Sequence, residues 1–230
     1  MANYFWVVGT DTDVGKTIVT TTLMRYFQTK GEVLPYKPVQ TGLIEEGDIK
    51  YYGDTQFYQS FIEMELDEQN INSYSFKEPA SPHYAARLEG ASIDEKRILQ
   101  HIERLKSQYD YVICEGAGGL YVPLDEKRNY YFHHLIKETQ MPVVLVTRTT
   151  LGTINHTLLT IEALRAKGIP IAGIVCNAFE GTELEVDNVT TIRQATGLPL
   201  ILIPKLQNMA DLKELHLEDA NEFFERLRSL

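Results

Sequence analysis

The chain has 230 residues, the length of one ordinary α/β domain with a sizeable buried core. Hydrophobic residues make up 43% of it and charged residues 23%, a composition typical of globular proteins in water. Its 22 basic and 32 acidic residues give a net charge of −10, which argues against nucleic acid as the main partner.

Two features of the sequence predict where the protein works. The N-terminus has no signal-peptide pattern, and no apolar run approaches the roughly 18 residues that would span a membrane. Cys114 and Cys176 each lie at the end of an apolar run, and we interpret them as core thiols in a reducing compartment. We therefore expect a cytoplasmic protein that binds neither a membrane nor a nucleic acid.

The first half of the chain alternates regular and irregular segments. An apolar run at 4–8 predicts a strand, and apolar residues at helical spacing follow it up to a Lys30-Gly31 end signal. Residues 33–39 predict a short extended stretch, whose length is limited by Pro35 and Pro38. Residues 42–92 carry frequent Gly, Pro and Ser, so we interpret them as functional loops with short helices.

Regular segments return after residue 92. Ser92 to Glu95 has the pattern of a capping box and predicts a helix start there. Short runs rich in Val and Ile suit parallel strands covered on both faces, at 111–114, 143–146, 171–175 and 200–203. Helical patterns lie at about 130–139, 154–167 and 183–196, with a last amphipathic helix around 220–227.

The segment from Gly9 to Thr17 reads Gly-Thr-Asp-Thr-Asp-Val-Gly-Lys-Thr and joins the first predicted strand to the first helix. A strand, a turn bounded by glycines and a helix that begins at Gly-Lys-Thr is typical of a loop that binds the phosphates of a nucleoside triphosphate. In such a loop Lys16 reaches the outer phosphates and the Thr17 hydroxyl binds magnesium. Five residues separate Gly9 from Gly15 where the common loop has four, so Thr10 takes the place of the first glycine. The alternative is a chance Gly-Lys-Thr in an ordinary loop.

With this loop, the elements predict one doubly wound α/β domain over residues 1–230, similar to phosphate-loop NTPases. Its sheet is mainly parallel and has helices on both faces. Ligands of such folds bind at the carboxyl ends of the strands, which makes the residues just after each strand the candidates for chemistry.

Four such candidates have both a functional and an ordinary interpretation. Glu115, followed by three glycines in Gly116–Gly119, is placed to hold magnesium, but a helix cap would have the same pattern. Lys37 ends the second strand and is predicted to face Lys16, or else is a solvated charge. Asn177 has the position and the amide to bind adenine, or else forms a turn. Asp54, in the irregular region, is a second carboxylate candidate, but it is one of 32 acidic residues and the sequence alone favours a solvated role for it.

The order and spacing of several motifs make the chain resemble the dethiobiotin synthetase family over nearly its full length. The motifs are the longer phosphate loop, Tyr-Lys-Pro-Val-Gln-Thr-Gly at 36–42, Glu-Pro-Ala-Ser-Pro-His at 78–83, Glu-Gly-Ala-Gly-Gly at 115–119, Leu-Gly-Thr-Ile-Asn-His at 151–156, and Asn177.

The resemblance implies an ATP-dependent ligase of biotin biosynthesis. Such an enzyme combines 7,8-diaminononanoate, carbon dioxide and ATP into dethiobiotin, ADP and phosphate. One amine forms a carbamate, ATP phosphorylates the carbamate, and the second amine attacks the mixed anhydride to close a cyclic urea. Because carbamate and ATP are both anions, their approach requires a local cluster of positive charge.

The resemblance also implies the roles of individual residues. Magnesium, the expected cofactor, would be held by Thr17, Asp54 and Glu115. Catalysis would depend on Lys37, Lys16 and Thr12. ATP, the co-substrate, would contact Asp13, Val14, Gly15, Lys16, Thr17, Ile18, Asp54, Glu115, Gly116, Ala117, Gly118, Asn177, Ala178, Pro204, Lys205 and Leu206. The diamine and its carbamate would contact Thr12, Lys37, Thr41, Leu151, Gly152, Thr153 and Asn155, the last four across a homodimer interface.

Three positions depart from the family pattern. Asp13 is one methylene shorter than the expected glutamate, and Thr41 replaces a serine; both keep the functional group. The segment Lys205–Asn208 lacks an acidic residue that would bind the ribose. This last departure predicts looser selectivity among nucleoside triphosphates.

Two other functions use the same type of nucleotide domain. The ATP-dependent amidases or ligases of cobalamin biosynthesis usually carry an additional glutamine-hydrolysing domain, for which this chain has no room. The partition and positioning ATPases bind partners together with DNA or a membrane, and they have a signature lysine early in the phosphate loop. Here Thr10, Asp11 and Thr12 occupy that region, and the net charge of −10 argues against DNA.

Overall fold

The computed structural model describes residues 3–62, 64–215, 217 and 220–230, without the side chains of residues 68 and 209. Its strands are β1 Tyr4–Gly9, β2 Val33–Tyr36, β3 Val39–Thr41, β4 Leu43–Glu46, β5 Ile49–Tyr52, β6 Tyr74–Phe76, β7 Tyr111–Gly119, β8 Pro123–Asp125, β9 Tyr130–Tyr131, β10 Val143–Thr147, β11 Ile171–Phe179 and β12 Leu200–Pro204. Its α-helices are α1 Lys16–Gln28, α2 Gly53–Gln59, α3 Glu68–Ile71, α4 Pro82–Leu88, α5 Glu95–Gln108, α6 Phe132–Thr139, α7 Thr153–Ala166, α8 Glu183–Thr196 and α9 Asn221–Ser229, and a 3₁₀ helix lies at Met209–Lys213.

A parallel sheet in the order β12-β11-β10-β1-β7-β2 forms the centre of the protein. This confirms the predicted doubly wound, parallel α/β fold. The strand β1 lies between β7 and β10, and Trp6 is in register with both Cys114 and Val143. The carboxyl ends of β1, β7 and β2 therefore meet, and they bring the phosphate loop, Glu115 and Lys37 to one edge.

Both faces of the sheet are covered, as the continuous apolar runs predict. Successive side chains of β1 alternate between two buried clusters, with Trp6 and Val8 in one and Phe5 and Val7 in the other. The polar group of Trp6 is satisfied as well, because its Nε1 donates to Thr139 Oγ1 at 2.8 Å. This rigid centre fixes the positions of the loops that follow the strands.

The structure corrects the predicted start of α5. Ser92 does not cap this helix, which begins at Glu95. The cap is Asp94, whose side chain accepts a hydrogen bond from the Lys96 backbone N–H at 2.9 Å. Ser and Asp are both good capping residues, and the helix uses Asp94, which directly precedes its first residue.

The predicted extended stretch at 33–39 divides into two strands that belong to different sheets. Pro38 has no backbone N–H to continue the ladder, and β2 ends at Tyr36. After it, β3 pairs with β6 outside the central sheet. Another difference is that β7 continues to Gly119, so Glu115 lies within the strand and not after it.

The irregular region 42–92 contains more regular structure than its composition predicts. The antiparallel hairpin β4–β5 comes first, and α2, α3, β6 and α4 follow it. Elsewhere the predicted helices agree with α6, α7 and α8 within two residues. None of the helices in the described ranges is long and apolar enough to cross a membrane.

Gly173 on β11 provides a test of how α9 packs on the sheet. A β-carbon at Gly173 would lie 2.5 Å from Cδ2 of Phe223 and 2.8 Å from the Pro199 carbonyl oxygen. We expect Gly173→Ala to lower the free energy of unfolding by about 1–3 kcal/mol through overpacking. Urea denaturation measures this change in the free energy of unfolding. Gly53→Ala is the control, because a β-carbon there meets no atom closer than 3.7 Å. Equal stability of the two variants would contradict this packing.

Candidate active site

The phosphate loop joins the end of β1 to the start of α1, and its glycines are required by geometry. Gly15 has φ of +91°, and a β-carbon there would overlap the side-chain amide of Asn177. A β-carbon at Gly9 would lie 2.6 Å from the Asp11 carbonyl oxygen. At the N-terminus of α1 the first backbone N–H groups have no partner within the helix, and a helix start of this kind is suited to an anion.

Lys16, the first residue of α1, bends back over this loop. Its side chain is 6% exposed, and its Nζ donates to the Asp11 carbonyl oxygen at 3.1 Å. Burial lowers the pKa of Lys16 from its usual value, and the neighbouring charge of Lys37 adds to this effect, while Glu115 opposes it. The ammonium is therefore positioned in the loop where the outer phosphates of a nucleotide would bind.

Lys37 lies between two carboxylates at the edge of the sheet. Its Nζ contacts Asp54 Oδ2, and it donates to Glu115 Oε1 at 2.9 Å. Thr17 Oγ1 lies 2.7 Å from Asp54 Oδ1 and 3.1 Å from Glu115 Oε1. Side chains from β7, α1, α2 and the residue after β2 thus form one cluster, and Asp54 joins it although the sequence alone favoured a solvated role.

The contacts within this cluster keep Lys37 and Asp54 charged. Burial acts to lower the pKa of Lys37, but the negative charges of Glu115 and Asp54 outweigh it and raise that pKa above its usual range. Burial acts to raise the pKa of Asp54, and the ammonium of Lys37 and the Thr17 hydroxyl outweigh it and lower that pKa. Lys37 is thus an ammonium and Asp54 a carboxylate at neutral pH.

The oxygen atoms of the cluster fit a small hard cation. Thr17 Oγ1 is within hydrogen-bond distance of one carboxylate oxygen from Asp54 and one from Glu115. Mg²⁺ prefers such oxygen ligands and usually keeps several waters. Among the described residues no group of three or more His, Cys, Asp or Glu side chains could hold a metal, so a cation here would take the threonine hydroxyl as a third protein ligand.

A cleft of about 730 Å³ opens in front of the cluster. It brings together most residues predicted for phosphate, metal and carbamate binding. Those in its lining are Thr12, Asp13, Gly15, Lys16, Thr17, Ile18, Lys37, Thr41, Asp54, Glu115, Ala117 and Gly118. The segment 79–82, from the Glu-Pro-Ala-Ser-Pro-His motif, also lines this cleft.

The residues predicted for the base lie beside the phosphate loop and outside this cleft lining. Asn177 Nδ2 donates to the Val14 carbonyl oxygen at 3.1 Å, so the amide supports the loop from behind. Ala178 has φ of +59°, and the Lys205 backbone N–H donates to the Phe179 carbonyl oxygen at 3.0 Å. The segment 204–206 is thus tied to the end of β11.

The residues predicted for the substrate carboxylate form a separate groove of about 530 Å³ at the start of α7. Leu151, Gly152 and Asn155 line it, and Leu151 is 86% exposed. Thr153 points inward, where its Oγ1 donates to the Arg148 carbonyl oxygen at 2.6 Å. Within one chain these four residues are not part of the lining of the main cleft.

Sequence analysis missed three side chains that support the site. Tyr58 donates to Glu115 Oε2 at 2.5 Å, Asn72 Nδ2 donates to the Lys37 carbonyl oxygen at 2.9 Å, and Arg148 Nε donates to the Asp13 carbonyl oxygen at 3.2 Å. Arg148 follows β10 directly, so the rule that found the other strand-end residues would also have found it. Tyr58 and Asn72 lie in the irregular region, where no periodic pattern marks them.

Comparison with known proteins gives one family. A model of the AAA domain matches residues 3–214. An ATP-dependent dethiobiotin synthetase BioD of Lysinibacillus sphaericus is 52% identical over 225 residues, which are 97% of this chain and 96% of that protein. The protein of the same name from Halalkalibacterium halodurans is 42% identical, over 86% of this chain and 82% of its own.

Solved structures with a similar fold are more distant. The septum site-determining protein MinD of Pyrococcus horikoshii, in complex with Mg-ADP, has a TM-score of 0.59 and 15% identity, and the match covers 100% of this chain and 96% of that one. The cell division ATPase MinD of Pyrococcus furiosus has a TM-score of 0.60 and 15% identity, over 99% and 98% of the two chains. At this identity the likeness concerns the fold alone.

Proposed function

The chain belongs to the family of ATP-dependent dethiobiotin synthetases, and we propose that the cleft between the phosphate loop and the Lys37 cluster is where it closes the cyclic urea. As a member of this family the enzyme forms dethiobiotin at the expense of ATP in biotin biosynthesis. The observation that supports the site is the convergence of Lys16, Lys37 and Glu115 on one cleft. The likeness to MinD, at 15% identity, concerns the fold and adds no support to the alternative of a positioning ATPase.

The nucleotide side of the proposed site consists of the phosphate loop. Its backbone N–H groups and Lys16 bind the triphosphate, and they hold the γ-phosphorus at the cleft. Asn177, Ala178 and the segment 204–206 bind the base, with the amide of Asn177 as the group able to pair with adenine. Arg148 contributes indirectly, because it donates to the backbone of Asp13 within the loop.

The carbamate side of the proposed site consists of Thr12, Lys37 and Thr41. One amine of the substrate attacks carbon dioxide and loses a proton, which leaves a carbamate whose negative oxygen lies beside the Lys37 ammonium. That oxygen attacks the γ-phosphorus, and ADP leaves. The second amine then attacks the carbonyl carbon, loses a proton and expels phosphate. Lys37 lowers the barrier by placing a fixed positive charge where two anions must approach each other.

Thr17, Asp54 and Glu115 are the proposed ligands of a magnesium ion, which would neutralise phosphate charge when it is bound. The protein's own contribution at this point is to orient the three oxygens before any ligand arrives. Their mutual hydrogen bonds and the contact with Lys37 achieve this. Preorganised polar groups of this kind stabilise a transition state without reorganising during the reaction.

We further propose a cytoplasmic homodimer in which residues 1–230 of each copy form one domain. The groove at the start of α7 would bind the substrate carboxylate for the partner copy, with Leu151, Gly152, Thr153 and Asn155 around the helix N-terminus. Exposed apolar residues support this. Leu151 and Leu159 line the groove at 86% and 57% exposure, which is costly for side chains that stay in water.

The proposed function is tested by measuring phosphate release from Mg-ATP and bicarbonate with and without 7,8-diaminononanoate, and by identifying the product by mass. We expect phosphate release that requires the diamine and equals the dethiobiotin formed, because the carbamate is the phosphoryl acceptor. Phosphate release that is indifferent to the diamine, without a cyclic urea, would refute the function. In that case the phosphate loop alone would hydrolyse ATP.

The role of Lys37 is tested by Lys37→Ala. Removing its charge from beside the carbamate should lower kcat by about 10²–10³-fold, while the affinity for ATP stays largely intact. Steady-state kinetics and calorimetric ATP titration measure the two effects. The control is Lys50→Ala, which removes an exposed lysine paired with Glu45 at 2.6 Å on the nearby hairpin. Wild-type product formation by Lys37→Ala would contradict this role.

The dimer is tested by Leu159→Glu, which puts a charge into the apolar groove without altering a residue assigned to a ligand. We expect light scattering to show a monomer and the KM for the diamine to rise, while the KM for ATP is unchanged. The control is Leu88→Glu, since Leu88 is 53% exposed on α4, outside the groove. A fully active monomeric wild type would remove the argument for a shared site.

A further inference from the structure

Glu115 is a buried carboxylate whose two oxygens have different partners. The residue is 0% exposed, so its charge depends on hydrogen bonds and ion pairs within the protein. Oε1 faces the cleft, where it accepts from Lys37 at 2.9 Å and lies 3.1 Å from Thr17 Oγ1, whose proton has a closer acceptor in Asp54 Oδ1 at 2.7 Å. Oε2 faces away and accepts from the hydroxyl of Tyr58 at 2.5 Å. Tyr58, which is not part of the cleft lining, therefore holds the second oxygen of the carboxylate.

The position of Tyr58 links two of the proposed metal ligands. It lies on α2 four residues after Asp54, and residues four apart share one face of a helix. One face of α2 thus presents Asp54 to the cleft and Tyr58 to the back of Glu115. Tyr58 is also the residue of α2 that is fully buried, at 0% exposure. The helix is attached to the sheet at the site through this side chain.

The proton of Tyr58 is committed to Glu115. The Tyr58 hydroxyl donates to Glu115 Oε2, and both residues are 0% exposed, so this hydrogen bond is shielded from solvent. A short bond from a neutral hydroxyl to an ionised oxygen is among the stronger hydrogen bonds in proteins.

We propose that Tyr58 is a positioning residue for this reaction. Its hydroxyl fixes the rotation of the Glu115 carboxylate, so that Oε1 is presented to Thr17 and Lys37 in the geometry that binds the magnesium nucleotide. The proposal rests on the proposed function for its biological meaning, but it concerns a binding property that is measured without the diamine. Groups that orient a metal ligand from behind commonly change metal affinity by about 10–100-fold when they are removed.

The test is calorimetric titration of ADP into the full-length protein, once with excess Mg²⁺ and once with EDTA. The ratio of the two affinities is the magnesium enhancement. We expect Tyr58→Phe to lower this enhancement by about tenfold, while the affinity in EDTA stays at the wild-type value. The control is Tyr130→Phe, which also removes a bond from a tyrosine hydroxyl to a carboxylate, at 3.0 Å from Glu138, but outside the cleft lining. It should change neither affinity.

A double variant distinguishes positioning from a general loss of structure. If Tyr58 acts through Glu115, adding Tyr58→Phe to Glu115→Gln changes the magnesium enhancement no further, because the oriented carboxylate is already gone. Additive effects would overturn the proposal. So would a wild-type enhancement in Tyr58→Phe, or an equal loss of affinity in EDTA and in Mg²⁺.

Proton NMR of the wild type tests the same bond if Tyr58→Phe does not fold. A hydroxyl proton bound this closely to a buried carboxylate should give a downfield signal that is protected from solvent exchange and is lost in Glu115→Gln. Absence of that signal would overturn the proposal. A failure of the proposed function is distinguishable, because it would appear in the wild-type assay with the diamine, whereas these measurements use ADP and Mg²⁺ alone.

Discussion

The site depends on keeping the Lys37 ammonium charged and fixed in a buried position. A buried ammonium without partners would lose its proton, and Asp54 and Glu115 prevent this by surrounding it with negative charge. The backbone is fixed too. The Lys37 N–H donates to the Ile71 carbonyl oxygen at 2.7 Å, and Asn72 Nδ2 donates to the Lys37 carbonyl oxygen at 2.9 Å. The charge that the proposed reaction requires is thus in place before any ligand binds.

The same constraint explains why the least regular part of the chain is so important to the site. The central sheet supplies the phosphate loop, Lys37 and Glu115, but not the groups that balance and orient them. Asp54, Tyr58 and Asn72 all come from the region 42–92, and so does the cleft-lining segment 79–82. The short helix α2 places Asp54 and Tyr58 with more precision than a free loop would, because its own backbone groups are already satisfied.

Two kinds of feature could be predicted from the sequence: elements with a periodic hydrophobic pattern, and functional residues that directly follow a predicted strand. Apolar runs predicted the sheet, and the motif after β1 predicted the phosphate loop, because both patterns are local. Tyr58 and Asn72 were missed because their partners, Glu115 and Lys37, lie 57 and 35 residues away in sequence. The start of α5 was predicted wrongly because Ser92 and Asp94 are both good capping residues two positions apart, and the helix uses the one that directly precedes Glu95.

The likeness to MinD shows how the fold and the chemistry separate. Proteins with 15% identity share the sheet and the course of the chain, so the phosphate loop alone does not determine what is phosphorylated. The acceptor is determined by what stands opposite the loop. Here that is an ammonium held between two carboxylates, in a cleft whose lining is apolar at Pro79 and Pro82. The apolar lining at Pro79 and Pro82 suits the hydrocarbon chain of a diamino acid better than it suits water, and the Lys16 and Lys37 ammonium groups in the same cleft supply the positive charge beside which a carbamate would lie.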